Sequence, residues 1–268
     1  MKRRDFLKSA VAVAGSGVVL SNRKAAAQDD SKTTARTYLE LRLYHLRRGP
    51  KTELFDRFYR EAAVPALNRA GIATVGVFSV SVGPDNPTMY VLLPHLSLES
   101  LPATRARLAA DAEFQKAGAE FLDAPATDPA YVRVDSTLMV AFEGMPRLEV
   151  PSFAGGGQSR LFELRTYESH SLKANDKKVE MFNRGEIGIF RHAGFQPVFF
   201  GQGMIGTRLP SLTYMLAAEN SEAREKGWSA FGADPDWKKL RNTPGYSDSE
   251  IVGGISNVLL RPAPYSQV

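Results

Sequence analysis

The chain has 268 residues, of which 43% are hydrophobic and 24% charged; this is a globular composition with room for one large domain or two of ordinary size. Residues 1–27 hold six basic residues and one acidic residue, so this segment accounts for the net charge of +5, and the near-neutral remainder does not indicate nucleic-acid binding. The chain has no cysteine, which excludes disulfides, thiolate metal ligands and thiol catalysis.

The first 27 residues have the pattern of an export signal. A basic stretch, "KRRDFLK", precedes "SAVAVAGSGVVLS", which is shorter than the roughly 20 apolar residues that cross a membrane. The Arg-Arg-x-Phe-Leu-Lys run resembles a twin-arginine signal, although Lys2 stands where Ser or Thr is common. The prediction rests on Arg3, Arg4, Phe6, Leu7, Ala25 and Ala27. We expect cleavage after Ala27 and a periplasmic or secreted bacterial protein that meets the membrane only during export. An uncleaved anchor is the alternative.

Residues 28–36 are predicted to be a flexible leader, and residues 37–142 a first folded unit. Its first strand alternates leucines on one face with Glu40, Arg42 and Tyr44 on the other. The elements predicted for this unit are strands at 37–46, 72–82, 88–96 and 131–142, and helices at 51–69 and 97–122. This order, βαββαβ, is that of a ferredoxin-like unit.

Residues 143–159 contain two prolines and three consecutive glycines, which predicts a linker between two units. A second unit is predicted at residues 160–264. Its predicted elements are strands at 162–167, 195–204, within 208–219 and at 250–262, and helices at 172–192 and 221–241. The last helical tract is expected to break at Asp234, with that residue as N-cap and Pro235 in the first turn of the next helix.

Three short matches relate the two units at one offset of 123 residues. "ELR" occurs at 40–42 and 163–165, and Ala-Gly occurs at 70–71 and 193–194. "DAEFQKA", which begins at Asp111, corresponds to "DPDWKKL", which begins at Asp234. Three matches in one register indicate an internal duplication.

Both units resemble NIPSNAP domains, which belong to the dimeric α+β barrel group. The resemblance is clearest over residues 160–262, in "FELRTYE", "RHAGFQPVFFG" and "LTYMLAAENSEAREKGWSAFGADPDWKKL". The first unit is a diverged copy, with Phe114 where the second has Trp237. The resemblance implies an α+β fold in which two tandem ferredoxin-like (βαββαβ) units pack as a pseudo-dimeric α/β barrel. It transfers no catalytic residue, because the family has no agreed catalytic motif.

The polar faces of the two equivalent first strands are candidate ligand-binding surfaces. If the leucine faces pack on the helices, these side chains point into the barrel. They are predicted either to form a Glu–Arg network that holds the sheets in register, or to line a pocket in which an arginine binds an anionic ligand. The candidate residues are Glu40, Arg42, Tyr44, Glu163, Arg165 and Tyr167.

Aromatic residues of the last helical tract form a second candidate set. Trp228, Phe231 and Trp237 either pack in the core between helix and sheet, or form an aromatic wall over a ligand cavity or a partner-binding face.

No metal or cofactor site is predicted. The four histidines, His45, His95, His170 and His192, show no metal-ligand spacing. A haem ligand among them is the remaining alternative, because related barrels hold haem on a histidine. The glycine-rich "AGGGQS" lacks the Lys-Ser/Thr of a phosphate loop, and no Gly-x-Ser-x-Gly elbow is present.

These patterns favour an exported protein that binds a small molecule or another protein without catalysis, since no acid–base pair, nucleophile or metal set is evident. The alternative is a cofactor-poor, monooxygenase-like enzyme acting on a small aromatic or anionic substrate, which rests on analogy of fold. We expect a monomer with an internal pseudo-dimer, and further oligomerisation stays open.

Overall fold

The computed structural model describes residues 35–153 and 160–268. In these two stretches the chain forms eight strands that close into one antiparallel barrel, with helices packed on its outer face. Every helix among them is too short or too polar to cross a lipid bilayer. The predicted export signal, with Arg3, Arg4, Phe6, Leu7, Ala25 and Ala27, lies outside the described residues.

The elements follow the predicted order in both halves. The strands are β1 (Tyr38–His45), β2 (Gly76–Val82), β3 (Thr88–His95), β4 (Arg133–Ala141), β5 (Leu161–Glu168), β6 (Gln196–Ile205), β7 (Ser211–Ala218) and β8 (Gly254–Pro262). The helices are α1 (Pro50–Phe58), α2 (Val64–Arg69), α3 (Ser100–Ala110), α4 (Ala112–Leu122), α5 (Leu172–Met181), α6 (Ile187–His192), α7 (Ser221–Ala233), α8 (Pro235–Arg241) and α9 (Asp248–Ile251). One π-helical turn joins α1 to α2 (Tyr59–Ala63), and another joins α5 to α6 (Phe182–Glu186).

Each half contributes a four-stranded antiparallel sheet, and the two sheets join at both edges. The strand order around the barrel is β1-β3-β2-β8-β5-β7-β6-β4. The seams are β2–β8 and β4–β6, so the last strand of each half pairs with the second strand of the other. Each sheet edge is therefore paired with an edge of the other sheet. The α+β fold with two ferredoxin-like units in a pseudo-dimeric barrel is confirmed.

The alternating faces of the first strands are oriented opposite to the prediction. Leu39, Leu41 and Leu164 point into the barrel, where they join a cluster with residues from all eight strands. Tyr44 and Tyr167 point outward and pack with residues of the helices. The alternation could not decide this because both faces of these strands are covered. The barrel interior is apolar, whereas the polar groups of the outer face find partners on neighbouring strands and, in the second half, on α7.

The two long helices carry their π-helical turns at equivalent positions. Tyr59–Ala63 and Phe182–Glu186 lie at the same offset of 123 residues as the sequence matches. The extra residue in a π turn rotates the side chains that follow relative to a regular helix. The second helical tract of the second half breaks at Asp234 as predicted, because its side chain accepts hydrogen bonds from the backbone N–H groups of Asp236 and Trp237.

One end of the barrel is covered by chain segments beside the strands. Leu148 and Phe153, from the part of the predicted linker before residue 154, pack against the barrel cluster, and buried Val268 belongs to it. The backbone N–H of Glu149 donates to the carbonyl of Val198, which fixes this segment at the start of β6. Two predicted boundaries are wrong: Ile251 ends the short helix α9, so β8 begins only at Gly254, and β2 begins at Gly76 rather than at residue 72.

Candidate functional site

The other end of the barrel contains a half-open cavity of about 270 Å³, which we call the barrel mouth. It lies where β1 and β5 end and where β3 and β7 begin. Its inner lining is apolar and includes Leu41, Leu164 and Val258. Hydroxyl groups also line it, from Thr88, Thr137, Thr166, Ser211, Thr213 and Ser256, and charged residues lie at its edge. An apolar base with polar groups near the opening is the usual construction of a small-molecule site.

A histidine–aspartate pair stands at the edge of the barrel mouth. His45 Nε2 lies 2.8 Å from Asp135 Oδ2, and His45 Nδ1 lies 3.4 Å from Thr88 Oγ1. The Thr88 hydroxyl donates its proton to the carbonyl of Asp85, so it accepts from the imidazole. Burial raises the pKa of Asp135, but hydrogen bonds from His45 and Arg133 outweigh it and lower the pKa overall. Both imidazole nitrogens therefore have partners within the protein.

Two tight turns bring charged residues of opposite sign to the barrel mouth. Asp85 and Arg208 occupy equivalent positions in the β2–β3 and β6–β7 turns, and both have positive φ, 54° and 63°. A left-handed conformation is unfavourable for residues other than glycine and is often found at functional sites. Arg208 Nη1 donates to Ser256 Oγ at 3.2 Å. Burial, and then Asp85, raise the pKa of Tyr90 to about 12, so its hydroxyl remains a proton donor in the lining.

The duplication shows that the barrel mouth is asymmetric. The strand registers place Glu168 opposite Ser211 in the second half, where His45 lies opposite Thr88 in the first. The position equivalent to Asp135 is Ser256. The histidine–aspartate pair is therefore specific to the first half.

The predicted residues of the first polar face form a network beneath the helices. Arg42 Nε and Nη2 donate to the two carboxylate oxygens of Glu40 at 2.7 and 2.8 Å. His95 Nε2 and Ser136 Oγ complete the contacts at 3.3 and 3.1 Å. Burial raises the pKa of Glu40, but hydrogen bonds from His95 and Arg42 outweigh it and lower the pKa to about 2. Tyr44 packs edge-on against aromatic rings of the helix layer.

The second polar face uses the same pairing with more donors. Glu163 is 2% exposed and accepts from Arg224 Nε at 2.6 Å, Trp228 Nε1 at 2.7 Å, Asn257 Nδ2 at 2.6 Å and Arg165 Nη1 at 3.1 Å. Burial raises the pKa of Glu163, but its hydrogen bonds from Arg224 and Trp228 outweigh that and lower it. Each arginine thus pairs with the glutamate of its own strand, and the assignment of these six residues to the barrel interior is wrong.

The aromatic set lies in the same helix–sheet layer. Phe231 is buried, and its ring centroid lies 4.6 Å from that of Trp237. Trp228 stacks on the guanidinium of Arg165 at 4.7 Å, besides its hydrogen bond to Glu163. The aromatic residues therefore cover the second polar face and pack away from the barrel mouth.

A buried ion pair lies beside this layer and was not predicted. Lys178 on α5 and Glu186 at the end of the π turn are 1% and 2% exposed, and Lys178 Nζ is 3.4 Å from Glu186 Oε2. A second contact of 3.4 Å joins Lys178 to Asp248 Oδ1 on α9. Burial raises the pKa of Glu186 to about 7 although Lys178 opposes the shift. Burial lowers the pKa of Lys178, but Glu186 and Asp248 outweigh it and raise it overall.

The predicted strand at 37–46 contains His45, but the sequence does not reveal its partner. Asp135 is 90 residues away, and only the β1–β4 pairing brings the two together. For the Lys178–Glu186 pair, the internal repeat was the available signal. Both residues are charged, whereas the first copy has Phe55 and Ala63 at the equivalent positions. Over the described ranges, no group of three or more histidine, aspartate or glutamate side chains is arranged to hold a metal ion.

The comparisons with known proteins address the family and the fold. The NIPSNAP profile matches residues 39–141 and 162–267. A proposed monooxygenase from Fusobacterium nucleatum superposes with a TM-score of 0.55 at 9% identity, covering 85% of this chain and 93% of its own. Another from Lactobacillus acidophilus gives 0.56 at 9% identity, covering 87% and 98%. These two similarities show a shared fold and do not extend to activity.

A solved NIPSNAP-like domain protein from Burkholderia xenovorans is 20% identical, with a TM-score of 0.37, and covers 41% of this chain and 90% of its own. No match was found among curated proteins. The family profile matches well over half of the chain, once in each half of the barrel. The chain therefore belongs to the NIPSNAP family and carries two copies of its domain in tandem.

Proposed function

We propose that this NIPSNAP protein binds a small molecule with an acceptor group, such as a carboxylate, in the barrel mouth, and that it does so without catalysis. The observation that supports the proposal is the half-open cavity itself, with its apolar base and polar edge. The cavity of about 270 Å³ lies near the lower limit of ordinary ligand pockets, which favours a small ligand.

The polar groups at the edge favour an anionic head group. Arg133 and Arg208 line the cavity, and the Tyr90 hydroxyl is a proton donor. The non-catalytic form is favoured because Asp135 and Thr88 occupy both nitrogens of His45, which leaves no free nitrogen to act as a base.

Binding can be followed through the histidine resonances of the protein. The chain has four histidines, and among the residues described His45 is the one that lines the barrel mouth. Titration with short-chain carboxylates should shift the His45 imidazole signals saturably, and Arg208→Gln should weaken that binding severalfold. Arg184→Gln is the matched control, because Arg184 is an equally exposed arginine away from the mouth. No shift with any carboxylate would rule the proposal out.

The alternative is a cofactor-poor, monooxygenase-like enzyme acting on a small aromatic or anionic substrate, and the His45–Asp135 pair favours it. If ligand binding changed the partners of His45, this pair could transfer a proton, which typically contributes about 10²- to 10⁴-fold in rate. Asp135→Asn separates the two functions. An enzyme would lose turnover while retaining affinity, whereas a binding protein would show no turnover in either form.

Export is part of the proposal and rests on the sequence of the first 27 residues. Replacing Arg3 and Arg4 by lysine keeps the charge but removes the arginine pair. This variant should accumulate as precursor inside the cell, detected by fractionation and immunoblotting, and normal export of the variant would contradict the twin-arginine route.

A further inference from the structure

The buried Lys178–Glu186 pair occupies two positions that are apolar in the first half. The offset of 123 residues aligns Lys178 with Phe55 and Glu186 with Ala63, and both halves keep the π turn between these positions. Phe55 and Ala63 are buried in the first half's core cluster. Replacement of a buried ion pair by apolar residues is often neutral or stabilising. The fold therefore accepts apolar residues at these two positions, and the charges in the second half require another explanation.

Two buried donors close to this pair lack acceptors. Asn175, one turn before Lys178 on α5, has no acceptor for its Nδ2 among the described residues, and neither has Arg165 for its Nε. A buried donor without an acceptor is unfavourable, because it has lost its hydrogen bond to water and gained none in the protein. Unsatisfied donors beside a lysine suit a ligand that brings acceptor oxygens.

Aromatic rings surround the lysine ammonium. The centroids of Phe182, Tyr167 and Trp237 lie 5.3, 5.4 and 5.8 Å from Lys178 Nζ. The hydroxyl of Tyr167 is 3.1 Å from that of Tyr214. Flat apolar walls around a cation complement a planar body that carries a negative charge.

Asp248 is the exchangeable member of the cluster. Its side chain is 61% exposed although it reaches a lysine that is 1% exposed. It belongs to α9, a helix of only four residues. A carboxylate that approaches Lys178 from the solvent side marks the position that the carboxylate of a ligand would take.

We propose that the layer between α5 and the second half's sheet is a second ligand site, distinct from the barrel mouth. It takes a small aromatic carboxylate, whose acid group pairs with Lys178 and displaces Asp248, and whose ring takes the place of the Asp248 side chain next to Trp237. Glu186 holds Lys178 in position from the buried side. In the absence of ligand, Asp248 occupies the place of the acid and competes with it.

Tryptophan fluorescence tests the proposal selectively. The chain has two tryptophans; Trp237 lies beside Lys178 and Trp228 stacks on Arg165, whereas neither lines the barrel mouth. Benzoate should change the fluorescence saturably, and uncharged benzamide should not. Lys178→Met should weaken the binding of benzoate at least about tenfold, which is the effect of losing one charge-assisted hydrogen bond. Asp248→Asn should bind benzoate severalfold more tightly, because it removes the competing carboxylate.

Two further variants serve as controls. Lys177→Met changes the neighbouring lysine, which pairs with Glu180 outside the cluster, and should bind benzoate like the unaltered protein. The double variant Lys178→Phe with Glu186→Ala rebuilds the first half's residues, and should keep its thermal unfolding midpoint while losing the benzoate response. The proposal is overturned if benzoate gives no saturable change in fluorescence, if Lys178→Met binds benzoate normally, or if Asp248→Asn binds benzoate no more tightly than the unaltered protein.

Discussion

Glu163 illustrates how much of the helix–sheet layer depends on one buried carboxylate. Four side chains donate to it, and two of them, Arg165 and Arg224, are cationic. Glu163→Gln removes the charge and leaves both guanidinium groups without their counterion. Breaking a buried pair in this way costs about 3–5 kcal/mol. We therefore expect a loss of that order in the free energy of unfolding, measured by urea denaturation.

The control for this prediction is an exposed pair of the same chemistry. Glu61 contacts Arg60 at 2.9 Å on the surface, where an ion pair contributes at most about 1 kcal/mol. Glu61→Gln should stay within about 0.5 kcal/mol of the unaltered protein. A similar loss in both variants would mean that the Glu163 network contributes no more than a surface contact.

The stability of the protein should depend on pH in opposite directions through two other carboxylates, Glu40 and Glu186. The pKa of Glu40 is lowered to about 2, so its contribution is present above the ordinary value of 4.5 and is lost as the pH falls towards 2. The pKa of Glu186 is raised to about 7, so its contribution is present below 4.5 and is lost as the pH rises towards 7. The groups that face Glu186 are Lys178, Asp248 and Arg165.

Substitution separates the contribution of Glu186 from other titrations. Between pH 4.5 and 7, the Glu186 carboxyl should make the free energy of unfolding decline. Glu186→Gln lacks this carboxyl, so its free energy of unfolding should decline less over the same range. Chemical denaturation at several pH values measures the difference between variant and unaltered protein. Parallel pH curves for the two would show that Glu186 does not titrate in this window.

At the scale of elements, the duplication supplies two matched helix caps. Asp111 accepts from the backbone N–H of Phe114 at the start of α4, and Asp234 accepts from two N–H groups at the start of α8. Removal of such a cap costs about 1 kcal/mol. Asp234→Ala should lower the free energy of unfolding by about that amount, measured by thermal unfolding. Asp111→Ala should lower it somewhat more, because Asp111 also pairs with Arg69 at 2.8 Å.

The caps also show which features sequence alone could predict. The Asp-Pro pair after a helical tract predicts a break in the helix from neighbouring residues alone, and this pattern identifies Asp234 as the N-cap. The orientation of β1 was not local information, because its leucine face and its Glu40 face are both buried, one by the barrel and one by the helices. The short helix α9 was read as strand because Ile251 and Val252 are an apolar β-branched pair, although Ile251 packs on α5 residues.

At the scale of the whole molecule, the candidate sites arise from pairings that the sequence does not reveal. The barrel mouth forms because strands from both halves meet, and its His45–Asp135 pair joins the neighbouring strands β1 and β4. The duplication could be predicted, since three matches share one offset. It indicated two similar halves, whereas each candidate site depends on residues present in one half only, His45 in the first and Lys178 in the second.

Joining the halves at two seams should make the barrel unfold as one unit. At the β4–β6 seam, Gly201 lies opposite Ala141, and a Cβ atom added there would be 2.9 Å from Met139 Cβ. Overpacking of this kind costs about 1–3 kcal/mol. Gly201→Ala should therefore destabilise the protein, whereas Gly188→Ala should stabilise it by up to about 1 kcal/mol, because Gly188 is an exposed helical residue with open space around it.

Two spectroscopic probes show whether the destabilisation spreads across the seam. Both tryptophans, Trp228 and Trp237, belong to the second half, so their fluorescence reports on that half, whereas far-ultraviolet circular dichroism reports on both. If the seams couple the halves, the two probes should give one coincident transition, and Gly201→Ala should lower both midpoints equally. A fluorescence midpoint that separates from the dichroism midpoint would show instead that each half has its own stability and that barrel closure adds little to it.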